Sequence, residues 1–385
     1  MRLIMKKIVF YLLFAILLSA QSHAQDVDLL SSEIDLISSD NQNFSDSHSA
    51  PSETQTTEEE QQPKSSWFGF ITRPLSKFFA EDEDVTISAD KETETPFEKS
   101  VRQAAEGNLE DQMNLAYMYL YGTNGVKQDY KEAFKYYEMA AKQKDPIALN
   151  NLGSLYFNGI GTERDIKKAL TLFESASALG NDNASLNLGF IYLTGGTKNT
   201  ERNTKAIELF QKSAQEGNKI AQFMVGYAYY KGFILPQDYQ KAFQSIRAAA
   251  IDGAQIDEAQ MVLSDMYAKG EGITQNYQKS IAALRNAAGQ GNMDAIIKLA
   301  EHYDAGDICP KTPVSAHALY NIAAAQNIHD AAKKRDEIGK TLNPEMIAAA
   351  QQNAANYRPN PSELTSYIRQ TYGNNLRYYI DINMK

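Results

Sequence analysis

The sequence runs to 385 residues with 43% hydrophobic and 10% aromatic residues, enough for a sizeable core, and carries a formal net charge of −10. One cysteine excludes a disulfide framework within a single chain, and the acidic balance argues against a nucleic-acid-binding protein.

Met1 to Ala24 reads as a secretory signal. Arg2, Lys6 and Lys7 make a basic start, Ile8 to Leu18 an apolar run, and Ser22-His23-Ala24 a small-x-small cleavage site. The run is too short for the roughly 20 apolar residues of a membrane span. No cysteine follows it, so it is not a lipoprotein signal. The expectation is an exported chain that begins near Gln25.

Residues 25–95 are predicted to be a disordered acidic tail. They hold 17 Asp and Glu against 4 Lys and Arg, among clusters of Ser, Thr, Gln and Asn, and cannot bury enough apolar surface to fold. With +3 from the leader and −13 from this segment, residues 96–385 sum to zero, so the rest of the chain offers no basic field to a nucleic acid.

An island at 66–80 interrupts the tail and holds Trp67, the only tryptophan. Phe68, Ile71, Leu75 and Phe78 recur at three and four residues, the spacing of a short amphipathic helix, although Pro74 breaks or restarts it. Three readings compete: docking on the protein's own repeats, a linear motif for a partner, and insertion at a membrane surface. The last is weakest, because Arg73 and Lys77 are opposed by the acidic run Glu81 to Asp84.

Residues 96–107 match the second helix of a repeat without its first, a capping half-repeat. Six repeats follow over 108–330. In each, a large aliphatic precedes a small residue, with a Tyr four places on and a Gly three after that, as in Leu152/Gly153/Tyr156/Gly159 and Val225/Gly226/Tyr229/Gly232. The tyrosines Tyr119, Tyr156, Tyr192, Tyr229, Tyr267 and Tyr303 keep a near-constant period of 36 to 38 residues, the signature of a helical repeat array.

The spacing predicts a helix A whose apolar stripe faces a neighbour and whose terminating Gly enters the left-handed region. Helix B is then expected to start at Asp129, Asp165, Asn203, Asp238, Asn276 and Thr312, all good N-caps, the last followed by Pro313. Small pairs such as Ala140/Ala141 and Ala287/Ala288 let helices approach closely. Residues 331–357 are predicted to be two C-terminal capping helices. The extension 358–385 is expected to hold a helix capped at Asn360-Pro361, then an aromatic stretch, 376-LRYYIDI, that reads as a strand or a packed tail.

Segments such as 148-ALNNLGSLYFNG and 238-DYQKAF…AAAIDG resemble the Sel-one-like repeat, a relative of the tetratricopeptide repeat. The resemblance covers about 96 to 357. It implies an all-α chain, a right-handed αα superhelical solenoid of repeats used as a protein-binding scaffold, with no catalytic residues in the repeat itself.

By analogy with tetratricopeptide arrays, helix A lines the concave groove through positions two before, two after and five after the motif aliphatic. Those positions include Tyr117, Phe157, Phe190, Phe223, Tyr227, Tyr230, Asp265, Glu301 and Asp304. The groove is then aromatic in the middle and acidic at its C-terminal end, suited to a peptide with an apolar segment and a basic flank. The competing reading is that several of these side chains pack between repeats.

Chemistry is sparse. Cys309 reads as buried core, and His302, Cys309 and His317 fall on helix A, a loop and helix B with no fourth ligand evident, so no metal is expected. No nucleophile elbow, phosphate loop, dinucleotide fingerprint or zinc-protease motif occurs. Catalytic residues and cofactors are therefore not expected. The sequence points to a non-enzymatic exported scaffold that binds a partner protein or peptide, in the periplasm of a bacterium. Alternatives are a secreted, virulence-type factor that contacts host proteins and, less favoured, a peptidoglycan-modifying or β-lactam-binding enzyme.

Overall fold

A computed structural model describes residues 94–194, 199–250, 256–328, 330–373 and 375–384. The leader, the acidic segment to residue 93 and the island at 66–80, with Trp67, Phe68, Ile71, Leu75 and Phe78, lie outside the described residues. Among those residues the chain forms seventeen helices and no strand. It divides into two compact units, up to Gly195 and from Gly196 onward.

The first unit begins with α1 (Pro96–Ala105), closed by a full capping box between Thr95 and Glu98, so Thr95 belongs to this helix rather than to the preceding segment. Then come α2 (Leu109–Tyr121), α3 (Tyr130–Lys142), α4 (Pro146–Asn158), α5 (Ile166–Ala178) and α6 (Asp182–Leu193). The second unit holds α7 (Thr200–Gln215), α8 (Lys219–Lys231), α9 (Tyr239–Ala250), α10 (Asp257–Lys269), α11 (Tyr277–Gly289), α12 (Met293–Ala305) and α13 (Pro313–Ala325). It ends with α14 (Ala331–Gly339), α15 (Pro344–Asn356), α16 (Glu363–Thr371) and α17 (Tyr378–Met384). Helices A are the even-numbered α2 to α12, and helices B the odd-numbered α3 to α13.

The repeat motif has a direct packing reason. A Cβ added at Gly226 of α8 would lie 2.7 Å from Ile246 Cγ1 of α9, and one at Gly153 of α4 would lie 3.0 Å from the Phe173 ring of α5. The small residue after the motif aliphatic therefore sets how closely helix A rests on helix B. The Gly after the motif Tyr ends helix A in the left-handed conformation at Gly122, Gly159, Gly232, Gly270 and Gly306.

Helix B starts from a side-chain cap at Asp129, Asp165, Asp238 and Asn276. Three residues on, Lys168, Lys241 and Lys279 place their ammonium groups 5.1, 5.3 and 5.6 Å above the rings of Tyr156, Tyr229 and Tyr267. In repeats two, four and five the Asp- or Asn-x-x-Lys spacing thus ties the start of helix B to the motif Tyr of its own repeat.

A second left-handed residue sits two places past four of those terminal glycines: Asn124, Gly161, Ile234 and Gly272. At Gly161 and Gly272 a Cβ would come within 2.0 Å of the carbonyl oxygens of Tyr130 and Tyr239, at the start of the preceding helix B. Glycine lets the loop seat on the previous repeat.

Several expected boundaries shift. The helix expected to start at Asn203 begins a turn earlier, because Asn199 accepts from the Arg202 amide; Asn203 lies buried inside α7. Thr312 precedes α13 but makes no side-chain cap, its hydroxyl donating to the Pro310 carbonyl instead. The cap of α16 is Ser362 rather than Asn360, whose amide donates to the Gly289 carbonyl at 2.9 Å. The stretch after Leu376 is a packed helix, not a strand.

The core of repeats five and six runs from Met261 through Leu284, Leu299 and Tyr320 to Ala331 and Ile338, with Leu342 and Tyr357 at its margin. None of the described residues after Tyr357 belongs to it. Helix α14 contributes Ala331 and Ile338 to this core, and α15 packs against α13.

Candidate protein-binding face

In the first unit the helix-A positions expected to face a groove hold both aromatic and amide side chains. Tyr117 and Tyr121 pack at 4.6 Å along α2. Phe157 of α4 and Phe190 of α6 are each 2% exposed. Between these helices Asn187 donates to the Asn150 side chain at 2.9 Å, and Asn150 to Asn151 at 3.2 Å, a buried amide ladder that links consecutive repeats.

In the second unit Phe223, Tyr227 and Tyr230 form a stacked column down α8, with centroids 5.9 and 6.2 Å apart. Phe223 and Tyr227 are buried and Tyr230 is half-buried. The Tyr230 hydroxyl donates to Glu271 at 2.9 Å. Asp265 pairs with Lys298, Glu301 with Lys334 at 2.7 Å and Asp304 with Lys311 at 3.7 Å. The acidic end of the expected groove is therefore neutralised by lysines of the same chain, and the basic flank proposed for its ligand meets paired carboxylates.

What lies against Tyr227 is the C-terminal segment. The Tyr227 hydroxyl donates to Asp381 of α17 at 3.0 Å, and Lys231 reaches the same carboxylate at 3.5 Å. Burial, then Asp381, pushes the Tyr227 phenol well above its ordinary range. Glu258, 2% exposed in the first turn of α10, accepts from the Leu376 and Arg377 amides and from the Arg377 guanidinium. Its neighbour Asp257 pairs with Arg369 of α16 at 2.7 Å and accepts from Asn292 at 2.9 Å. Burial pushes Glu258 up to about 7, against the pull of Arg377 and the two amides. Arg377 is held above its ordinary value: burial, which pulls it down, is outweighed by Glu258.

A model of the Sel1 repeat matches residues 109–145, 146–181, 183–218, 219–244, 257–292 and 294–328, more than half of the sequence. The chain belongs to the Sel1 repeat family. Its fold is similar to a Sel1 repeat protein from Oxalobacter formigenes, at 30% identity and a TM-score of 0.51, over 58% of this chain and 89% of that one. It is also similar to a protective antigen with an SLR fold from uropathogenic Escherichia coli, at 23% identity and a TM-score of 0.48, over 71% of this chain. The match spans 66% of that antigen, just under two thirds of its length. No curated protein matches the chain.

Sel1 repeat proteins are generally protein-binding scaffolds rather than enzymes. His302 is engaged at 2.8 Å by Asp307, and Cys309 is half-buried beside the core of repeats five and six, its thiol pushed up by burial and then by Asp307. His317 is buried on α13, where burial and then Arg335 push its imidazole below the ordinary value. Among the described residues no group of three or more His, Cys, Asp or Glu is placed to hold a metal ion.

Sequence reasoning passed over Asp257 and Glu258 because acidic residues in a first helical turn are ordinarily solvated partners of the helix dipole. One signal did mark them. Five helices A are capped by Asn or Asp (Asn108, Asp145, Asn181, Asn218 and Asn292), whereas α10 has Ile256 at that place and no side-chain cap.

Proposed function

We infer that the chain is a non-enzymatic, exported scaffold that binds a partner protein or peptide on the helix-A faces of its repeats, in the bacterial envelope. The observation that supports binding on this face is the placement of α17. A short helical segment already lies across α8 and α10, held by Tyr227 and Glu258. A repeat surface that seats one helix through buried polar groups has the chemistry to seat another. Export rests on the leader Met1 to Ala24.

The test is formaldehyde cross-linking of the tagged full-length protein in its native cell, followed by fractionation. The expected result is one or a few proteins captured from the periplasmic fraction and lost when the repeat faces are altered by Tyr117→Ala together with Tyr230→Ala. Recovery of the protein in the cytoplasm, or the same capture by the altered chain, counts against the reading.

A further inference from the structure

The contact between the C-terminal segment and repeats four to six differs from ordinary core packing in three respects. First, the segment's buried apolar residues Ile368, Tyr372, Leu376 and Ile380 are not among those of the core cluster of repeats five and six. Second, it adds buried polar pairs to an apolar stripe. Asp257, Glu258 and Gln290 are each no more than 5% exposed, and each makes side-chain hydrogen bonds to the segment: Asp257 with Arg369, Glu258 with Arg377, and Gln290 with the Ser362 amide and the Thr365 hydroxyl. Such pairs contribute little net stability but discriminate sharply among partners. Third, α10 lacks a cap of its own, and the Thr365 hydroxyl of α16 accepts from its Asp257 amide at 3.3 Å. The repeat leaves open a position that an incoming segment fills.

The segment has the form of a ligand. Ile368, Tyr372, Leu376 and Ile380 recur at every fourth residue and are all buried, and Arg369 and Arg377 stand beside that stripe. Helices of nine and seven residues are marginal by themselves, so their order comes from the surface they occupy.

We propose that Tyr227, Asp257, Glu258 and Gln290 form a recognition site for a helical segment that carries two arginines beside an aliphatic stripe, and that α16 and α17 are its resident occupant. A partner protein displaces them by presenting the same chemistry. This rests on the scaffold reading above and gives it a site, an occupant and a class of partner. Arginine suits the site because each guanidinium uses two donors on two different groups, Arg369 on Asp257 and the Gln290 carbonyl and Arg377 on Glu258 and Asp294, whereas a lysine offers a single point charge. A tethered occupant also raises the threshold for a competitor, because the segment acts at the high effective concentration of an intramolecular ligand.

The test uses a fluorescein-labelled synthetic peptide of residues 361–384 and the full-length chain. Wild type, its site filled, is expected to bind the peptide at least about ten-fold more weakly than the full-length variant R369A/R377A, whose own segment is loosened. A peptide that carries the same two substitutions is expected not to bind the variant. Equal binding to wild type and variant, or no binding to a variant with unchanged circular dichroism, overturns the proposal.

Should the variant fail to fold, a protease site placed between Arg358 and Ser362 of the otherwise unaltered chain gives a second route. After cleavage the segment is expected to leave on dilution while the repeats keep their helical signal, and to return on concentration. Loss of that signal with the segment, or co-elution at every dilution, marks it as part of the fold and ends the idea. Equal capture of an envelope partner by wild type and by R369A/R377A would leave the scaffold reading intact and refute this one. Peptide binding without capture of any partner would do the reverse.

Discussion

Glu258 and Arg377 are 119 positions apart in the sequence and meet at 3.1 Å. The carboxylate also receives the amides of Leu376 and Arg377, so three donors from the two residues before α17 converge on one side chain in the first turn of α10. Asp294 of α12 adds a second carboxylate to Arg377 at 3.3 Å, on the exposed side. One arginine thus joins the last helix of the chain to two consecutive repeats.

The pair makes stability depend on pH in a defined direction. Burial raises Glu258 from an ordinary value of 4.5 to about 7, so between those values the folded chain holds a proton that the unfolded chain releases. Its contribution is fully present below pH 4.5 and is lost as pH rises through 7, a change on the order of 3 kcal/mol. His317, depressed below its ordinary 6.5, acts oppositely: its contribution is lost as pH falls. The two separate by mutation. Urea unfolding is expected to show that Glu258→Gln lowers stability at pH 5 relative to pH 8 compared with wild type, and an unchanged relation would show that burial does not govern this carboxyl.

Ile234 has φ +61°, a left-handed conformation costly for a β-branched residue, at the place where repeats two and five carry Gly161 and Gly272. Ile234→Gly is expected to stabilise the chain by about 1 kcal/mol, because relief of strain exceeds the entropy glycine adds to the unfolded state. Gly161→Ala acts in reverse, since its Cβ meets the Tyr130 carbonyl oxygen at 2.0 Å, and should cost about 3 kcal/mol. Thermal midpoints of the two variants that moved in the same direction would contradict this account.

The repeat was legible because its signals are local. A small residue, a Tyr and a Gly at fixed spacing specify where helix A packs and where it stops, and Asp-x-x-Lys specifies where helix B begins. The same locality explains the misplaced boundary at Asn203: Asn199 and Asn203 are both competent caps, and the earlier one won. The sequence left open whether the aromatic positions of helix A line a groove or pack between repeats; Phe157, Phe190, Phe223 and Tyr227 are buried, whereas Tyr117 and Tyr230 are half-buried. Phe223 is fully enclosed because packing between repeats, and not helical periodicity, fixes its exposure. The partners of Asp257 and Glu258 lie more than a hundred residues downstream, and no pattern within a window reports such a contact. The absent cap at Ile256 was the one local trace of it.

Gly226→Ala tests a close contact between α8 and α9. A Cβ there approaches Ile246 Cγ1 to 2.7 Å and the Ile246 backbone nitrogen to 2.9 Å; the side chain can turn aside but the backbone cannot. Overpacking of this kind is expected to cost about 2 kcal/mol, more than the helix propensity that alanine gains over glycine. Equilibrium unfolding measures the balance, and a variant as stable as wild type would mean that α8 and α9 shift apart freely.

Thr365 distinguishes a segment that merely covers the repeats from one that completes them. Its hydroxyl donates to Gln290 at 2.7 Å and accepts from the Asp257 amide at 3.3 Å, so one oxygen serves two buried groups. Thr365→Val keeps the shape and removes both bonds, leaving the Gln290 oxygen with the Ser362 amide alone and the Asp257 amide without the Thr365 acceptor. The expected loss is about 1 to 2 kcal/mol. Its location matters more than its size. Hydrogen exchange should quicken at the first turn of α10 and along α16, and remain unchanged in α12 and α13, whose capping and core do not involve this residue. Uniform acceleration through repeats five and six would instead place Thr365 within their cooperative core and make the C-terminal segment inseparable from them.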